Sequence, residues 1–200
     1  MGILRILRFL VAAFILCAAA GDSSAGDKPG PKDGPEGSNL DWKDIPGVDG
    51  KTHSLKDIKA RMVVVAFVAN HCALCQFQQD ELNRIQDEYQ KRDVQLVAIT
   101  ISNLPDDQLS KMIERAKAAS YKFPYLHDAS QETGRRFRVT RTPTVFLLNE
   151  QREIVYSGAL NDDETPIKKH YLRDALDALL AGRPVAVAKT QAIGCGIQYE

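Results

Sequence analysis

Met62 to Ala69 reads Met-Val-Val-Val-Ala-Phe-Val-Ala, an unbroken apolar run rich in β-branched residues. It is too short for a buried helix and lacks the alternation of a half-exposed strand. It is therefore expected to form a strand covered on both faces. Leu74, Phe77, Leu82, Ile85 and Tyr89 follow at mostly helical spacing with charges between them, which predicts an amphipathic helix of about four turns. Val94 to Ile101 is expected as a second buried strand. Strand, helix and strand in this order make a βαβ unit with a right-handed crossover. The fold class is accordingly α/β, with a parallel or mixed central β-sheet.

Further along, Asp106 to Ala119 has helical spacing at Leu109, Met112, Ile113 and Ala116. Pro105 and two aspartates precede it, as suits a helix N-terminus. Ala129 to Phe137 is expected as a short helix. Thr144 to Leu148 and Glu153 to Ser157 are expected as strands joined by a polar hairpin. Ile167 to Ala181 carries one apolar stripe closed by Gly182 and Pro184, which predicts a last helix. The Arg135-Arg136-Phe137-Arg138 run reads as a solvated helix end, and His53, His127 and His170 read as surface residues.

The N-terminal forty residues address compartment. Arg5 and Arg8 precede an apolar run from Phe9 to Ala20, too short for a bilayer span of about 20 residues but suited to a signal peptide. Residues 1–20 are read as that signal, with the cut as late as residue 25 in the alternative; an uncleaved anchor, or lipidation at Cys17, is the lesser reading. Residues 21–39 hold five Gly, three Pro and three Ser and are expected to be a flexible linker. Residues 40–182 form the domain and residues 183–200 a C-terminal tail containing Cys195. The expected location is extracytoplasmic, periplasmic or secreted, with membrane contact only during export. With 26 basic against 26 acidic residues, no net positive field exists to hold nucleic acid.

Three cysteines remain beyond the signal: Cys72, Cys75 and Cys195. The pair Cys72-Ala73-Leu74-Cys75 falls where the buried strand gives way to the helix. Unsatisfied backbone N–H groups and the helix dipole stabilise a thiolate there, making Cys72 a candidate nucleophile. Cys75, one turn on, can resolve a mixed disulfide formed at Cys72. A lone Cys-x-x-Cys is also half a zinc site, but no second pair is present. Cys195 stands between glycines, which let its backbone approach a surface closely or swing. A resolving thiol for Cys72 or Cys75, an intermolecular partner and a buried apolar anchor for the tail are open readings for it.

Thr142-Pro143-Thr144 before an apolar strand resembles the cis-proline loop of the thioredoxin-like superfamily. The inserted helix between Pro105 and Ser120 resembles the redoxin branch, the alkyl hydroperoxide reductase, peroxiredoxin-like and TlpA-like proteins. Asn70 to Gln76, Thr140 to Pro143, Tyr171 to Leu180 and Gly194 to Ile197 are each similar to motifs of an exported peroxiredoxin-like group. The resemblance covers about residues 40 to 182. It implies a thioredoxin-like fold, a central mixed β-sheet flanked by helices with a redoxin-type helical insertion, and a thiol–disulfide oxidoreductase acting on protein thiols and disulfides, supplied by an electron donor and needing no cofactor or metal. Catalysis would lie with Cys72 and Cys75 and substrate binding with Thr142 and Pro143. The sequence departs from thioredoxins in having Ala66 where they carry a buried Asp, and His71 where they carry Trp. His71 thereby becomes the candidate modulator and base, since a protonated ring beside Cys72 would favour its thiolate. Peroxiredoxins are similar to one another in a Pro-x-x-x-Thr-x-x-Cys motif. Aligning Cys75 with its cysteine leaves Val68 and Cys72 at the Pro and Thr positions, which argues against efficient peroxide reduction. Two alternatives stand beside the leading one: a Cu(I)-holding assembly factor using both thiols and His170, and a weak thiol peroxidase centred on Cys75.

Overall fold

The computed structural model describes residues 40–200; the expected signal peptide and linker lie outside the described residues. Thirteen strands and α-helices organise the described residues: β1 (Ile45–Pro46), β2 (Thr52–His53), β3 (Met62–Phe67), α1 (Ala73–Tyr89), β4 (Val94–Thr100), α2 (Leu109–Ala118), β5 (Tyr125–His127), α3 (Glu132–Arg136), β6 (Arg141–Thr142), β7 (Thr144–Leu148), β8 (Ile154–Gly158), α4 (Tyr171–Leu180) and β9 (Cys195–Gly196). The main sheet runs β5-β4-β3-β7-β8. Its first three strands are parallel, while β7 and β8 join antiparallel. It is a mixed central sheet flanked by helices, as the thioredoxin-like resemblance implies, with the Met62 run as its central strand.

Every residue of β3 is buried, and the pleat sends its side chains alternately to two cores. Met62, Val64 and Ala66 join Leu82, Ile85 and Tyr89 of α1, Met112 of α2 and Leu172 and Leu176 of α4. Val63, Val65 and Phe67 meet Trp42, Leu55, Phe137 and Phe146 on the other face, where aromatic rings tilt against each other at centroid separations near 5 Å, as in Phe137–Phe146 at 5.0 Å. β3 is thus the axle of a three-layer domain.

Several elements differ from the sequence expectation. β5 has no counterpart in it, because three residues, Tyr-Leu-His, offer no periodicity; the strand extends the parallel part of the sheet and takes His127 with it, 8% exposed rather than on the surface. Phe77 is 71% exposed although its spacing puts it in the apolar stripe. The buried positions of α1 are Cys75, Gln78, Leu82, Ile85, Gln86 and Tyr89, and Phe77 lies roughly 200° around the helix from Cys75. The short helix begins at Glu132 rather than Ala129, since the Asp128 carboxylate accepts the Thr133 N–H at 2.7 Å and Gln131 is left-handed. The last helix begins at Tyr171, after a loop in which Thr165–Pro166 is cis and Asp162 accepts the Lys168 N–H at 3.2 Å.

Tail residues 183–200 lie along the domain. Thr190 N donates to Ser157 O, and Ser157 N to Ala188 O, both at 3.0 Å. Arg135, expected to be merely solvated, stacks on the Tyr199 ring with its guanidinium carbon 4.7 Å from the centroid and donates to the Glu200 carbonyl. No helix among the described residues is long and apolar enough to cross a membrane. Leu147, fully buried between β3 and β8, should cost about 2–5 kcal/mol on truncation to Ala. Phe77→Ala should stay within about 0.5 kcal/mol. Denaturant unfolding of the two variants reads both; equal losses would contradict the layer assignment.

Candidate active site

The site grows from the junction of β3 and α1. Cys72 is the N-cap residue of α1, with extended backbone at φ −81° and ψ 112°, and its carbonyl accepts the Gln76 N–H at 3.1 Å. Cys75 follows in the first turn. Antiparallel pairing of β7 with β3 sets Thr144 opposite Phe67, which carries the preceding Thr142–Pro143 peptide to the same end of the sheet. That peptide is cis, in keeping with the resemblance. Cys72 Sγ lies 3.2 Å from the Thr142 carbonyl oxygen, to which the thiol donates when protonated.

The tail completes the cluster. β9 pairs antiparallel with β6, with Cys195 opposite Thr142 and Gly196 opposite Arg141. Cys72, Cys75 and Cys195 are all free thiols and act on one another electrostatically. The facing Cys75 thiol is the largest cause lowering the Cys72 pKa; burial opposes it, while the Cys195 thiol and the backbone N–H groups of both residues add to it, and the result is about 4. Cys72 is therefore a thiolate at neutral pH. Burial pushes Cys75 up, and the Cys72 thiolate reinforces the rise. The Cys195 thiol is also raised, first by Cys72 and then by burial.

A buried carboxylate is present, but from an unforeseen direction. Pro105–Asp107 form a separate 3₁₀ turn before α2, which turns Asp107 inward to full burial. Asp107 Oδ1 accepts the backbone N–H of Asn70 at 2.5 Å and of His71 at 3.3 Å, and Oδ2 accepts His71 Nδ1–H at 2.5 Å. The role expected of position 66 in thioredoxins has no counterpart there, since Ala66 is core. His71 is accordingly held by Asp107 through both its ring and its backbone. Asn70 is held as well: its side chain donates to Asp106 O at 2.9 Å and accepts from Tyr125 OH at 3.0 Å. The sequence offered Asp106 and Asp107 only as helix-opening acids, with no spacing to tie them to residues 36 or 37 positions earlier.

A cavity of about 400 Å³ lies beside the cysteines, lined among others by Val68, His71, Leu104, Thr142, Gly196 and Tyr199. The tail forms one of its walls. Among the described residues no group of three His, Cys, Asp or Glu side chains is placed to hold a metal ion. His170, the ligand that the copper alternative needs, is the N-cap residue of α4.

Comparison with known proteins follows the same outline. Thiol-disulfide oxidoreductase ResA of a Bacillus cereus strain is 25% identical over 155 residues, covering 76% of this chain and 86% of the relative. ResA of Geobacillus thermodenitrificans (strain NG80-2) is 24% identical over 125 residues, covering 62% and 68%. Among solved structures, an uncharacterized conserved protein from Geobacillus kaustophilus superposes with a TM-score of 0.74 at 31% identity, covering 82% of this chain and 94% of that one. A hypothetical protein from Sinorhizobium meliloti 1021 gives 0.75 at 29%, covering 80% and 91%. Residues 32–176 match the Redoxin family, and with its thioredoxin-like sheet the chain belongs to that family.

Proposed function

We propose that this protein is an exported thiol–disulfide oxidoreductase that works through the Cys72/Cys75 dithiol. The observation that carries the reading is the Cys72 thiol at the start of α1, drawn down to about 4 with a protonated Cys75 thiol facing it and the cis Thr142–Pro143 peptide beside it. A thiolate next to a thiol is the arrangement that disulfide exchange needs. Cys72 attacks a disulfide of a protein substrate and forms a mixed disulfide, releasing one substrate thiolate. Cys75 then loses its proton and attacks Cys72 Sγ, releasing the second substrate thiol and leaving the Cys72–Cys75 disulfide. A dithiol donor or acceptor resets the pair.

Thr142 and Pro143 form the substrate edge in this reading, and His71, held by Asp107, modulates the pair. The relatives named thiol-disulfide oxidoreductase support the reaction class. The elevated Cys75 thiol speaks against the peroxidase alternative, whose nucleophile Cys75 would have to be. Export rests on Arg5, Arg8 and the apolar run to Ala20. It is supported by likeness to the pneumococcal exposed lipoprotein thioredoxin from Streptococcus pneumoniae strain TIGR4, 25% identical with a TM-score of 0.52.

Cys72→Ser is expected to abolish turnover in a dithiol-coupled disulfide reduction assay; full activity in that variant would sink the assignment. The ultraviolet thiolate absorbance of the reduced protein should persist down to about pH 4 and vanish in Cys72→Ser. Absorbance that develops only near the ordinary thiol value of about 8.5 contradicts it. The same shift sets a stability profile. Because the folded pKa lies below the unfolded one, ionisation of Cys72 stabilises the reduced fold fully above the unfolded value, and the gain disappears as pH falls through about 4. Asp107→Ala strands the buried Asn70 amide and should cost about 1–3 kcal/mol, read by denaturant unfolding. An unchanged midpoint would remove Asp107 from the positioning of this turn.

A further inference from the structure

We propose that the tail strand around Cys195 is a tethered occupant of the Thr142 edge, and that Cys195 is a second resolving thiol that cleaves mixed disulfides at Cys72 as the tail returns to that edge. The proposal rests on the reading of Cys72 as the nucleophile. Four observations carry it, each independent of titration.

The tail makes backbone pairing of the kind an incoming peptide would need. Cys195 is in register with Thr142, Ile197 N donates to Thr140 O at 3.0 Å, and Arg141 donates from its guanidinium to Gly194 O at 3.0 Å. An added strand on a sheet edge is a standard way to hold an extended peptide. The same Thr142 whose carbonyl touches the Cys72 thiol is thus the partner of Cys195, which puts the third cysteine at the reacting sulfur.

The approach is close by construction. A Cβ on Gly194, where φ is +137°, would lie 2.1 Å from the Thr142 carbonyl oxygen and 3.1 Å from Pro143 Cδ. Only glycine permits this approach of tail to loop. The tail is also fastened beyond Cys195. Gln131 donates to Gln198 O at 2.9 Å and accepts from Glu200 N at 2.7 Å, and Tyr199 OH donates to Val139 O at 2.6 Å.

With the tail docked, Cys72 is 0% exposed and Cys75 5%, while Cys195 is only partly buried. A protein disulfide cannot reach a wholly covered sulfur, so the tail must lift before Cys72 attacks. After attack, the substrate half is linked to Cys72 and the tail is free. Tethering gives its thiol a high effective concentration at the edge it left.

The step balances without a further oxidant. Cys195 loses its proton and attacks Cys72 Sγ; the Cys72–Cys195 bond forms, the bond from Cys72 to the substrate sulfur breaks, and the substrate leaves as a thiolate that takes up a proton. The first attack frees one substrate sulfur as a thiolate and this one frees the other, so the two-electron reduction of the substrate disulfide is completed here, matched by oxidation of Cys72 and Cys195 to their disulfide. A dithiol donor then attacks the more exposed Cys195 sulfur and expels Cys72, the better leaving group of the two because its thiolate is the more stable; the donor's second thiol attacks the donor sulfur of that mixed disulfide, closing the donor disulfide and releasing Cys195, which takes up a proton.

Oxidised glutathione is the probe, with the full chain and mass mapping of its disulfides. Cys75→Ser, treated with oxidised glutathione, is expected to release the bound glutathione and yield a peptide linking Cys72 to Cys195, whereas Cys75→Ser/Cys195→Ser stops at the glutathione adduct. Cys75→Ser/Gly194→Val keeps the thiol but blocks the strand, and should slow release by about tenfold, near the worth of one net backbone hydrogen bond. Adducts equally long-lived in Cys75→Ser and the double serine variant, with no Cys72–Cys195 peptide, overturn the proposal. A double serine variant that forms no adduct on Cys72 overturns the reading of Cys72 itself, and the role of Cys195 falls with it. Should a Cys75 variant fold poorly, limited oxidation of the wild-type chain serves. A Cys72–Cys195 peptide beside the Cys72–Cys75 one supports the step, and its absence overturns it.

Discussion

The pairing of β3 with β7 is the constraint on which the site depends. β3 ends in the turn that starts α1, and β7 begins just after Pro143, so antiparallel register between them forces Cys72 and the Thr142 carbonyl into contact. The pairing is secured by burial on both faces, because every β3 side chain and every β7 side chain is in the core. A thiol at a helix start is only potentially reactive. What the proposed disulfide-exchange chemistry would add to it is the edge of backbone that this register places against it.

The electrostatics of the cluster follow from crowding three sulfurs together, two of them buried. Three thiols share the negative charge unequally, and the one at the helix start keeps it because the neighbouring thiols and N–H groups turn toward it. Its partners are left with raised values, so three chemically identical groups are made electrostatically unequal. Asp107 contributes differently, by gripping the amides of Asn70 and His71 and the His71 ring. That grip keeps the turn before Cys72 in one geometry, and with it the direction of the thiol.

Much of the fold was legible because its signals are local. The β3 run, the helical spacing after it, the β7 and β8 strands and the α4 stripe all appear within a few residues of their expected bounds. The failures have a common cause. β5 is three residues long, and Phe77 carries a hydrophobic side chain on a face that packs against nothing buried. Asp107 became a buried anchor because a 3₁₀ turn, rather than the expected first turn of a helix, aims its carboxylate inward. None of these is visible from spacing alone.

Two cysteines one helical turn apart after a buried strand, a Thr-Pro before another, and a third cysteine between glycines in a tail can all be read directly from the chain. Those are properties of neighbours in the chain, set by local propensity and periodicity. It takes the assembled sheet to set Cys195 opposite Thr142, to cover Cys72 and to bring Asp107 to His71. Residues 142 and 195 meet through strand pairing, and residues 71 and 107 through a buried hydrogen bond. Such contacts depend on the sheet order that brings distant segments together, which no local pattern encodes.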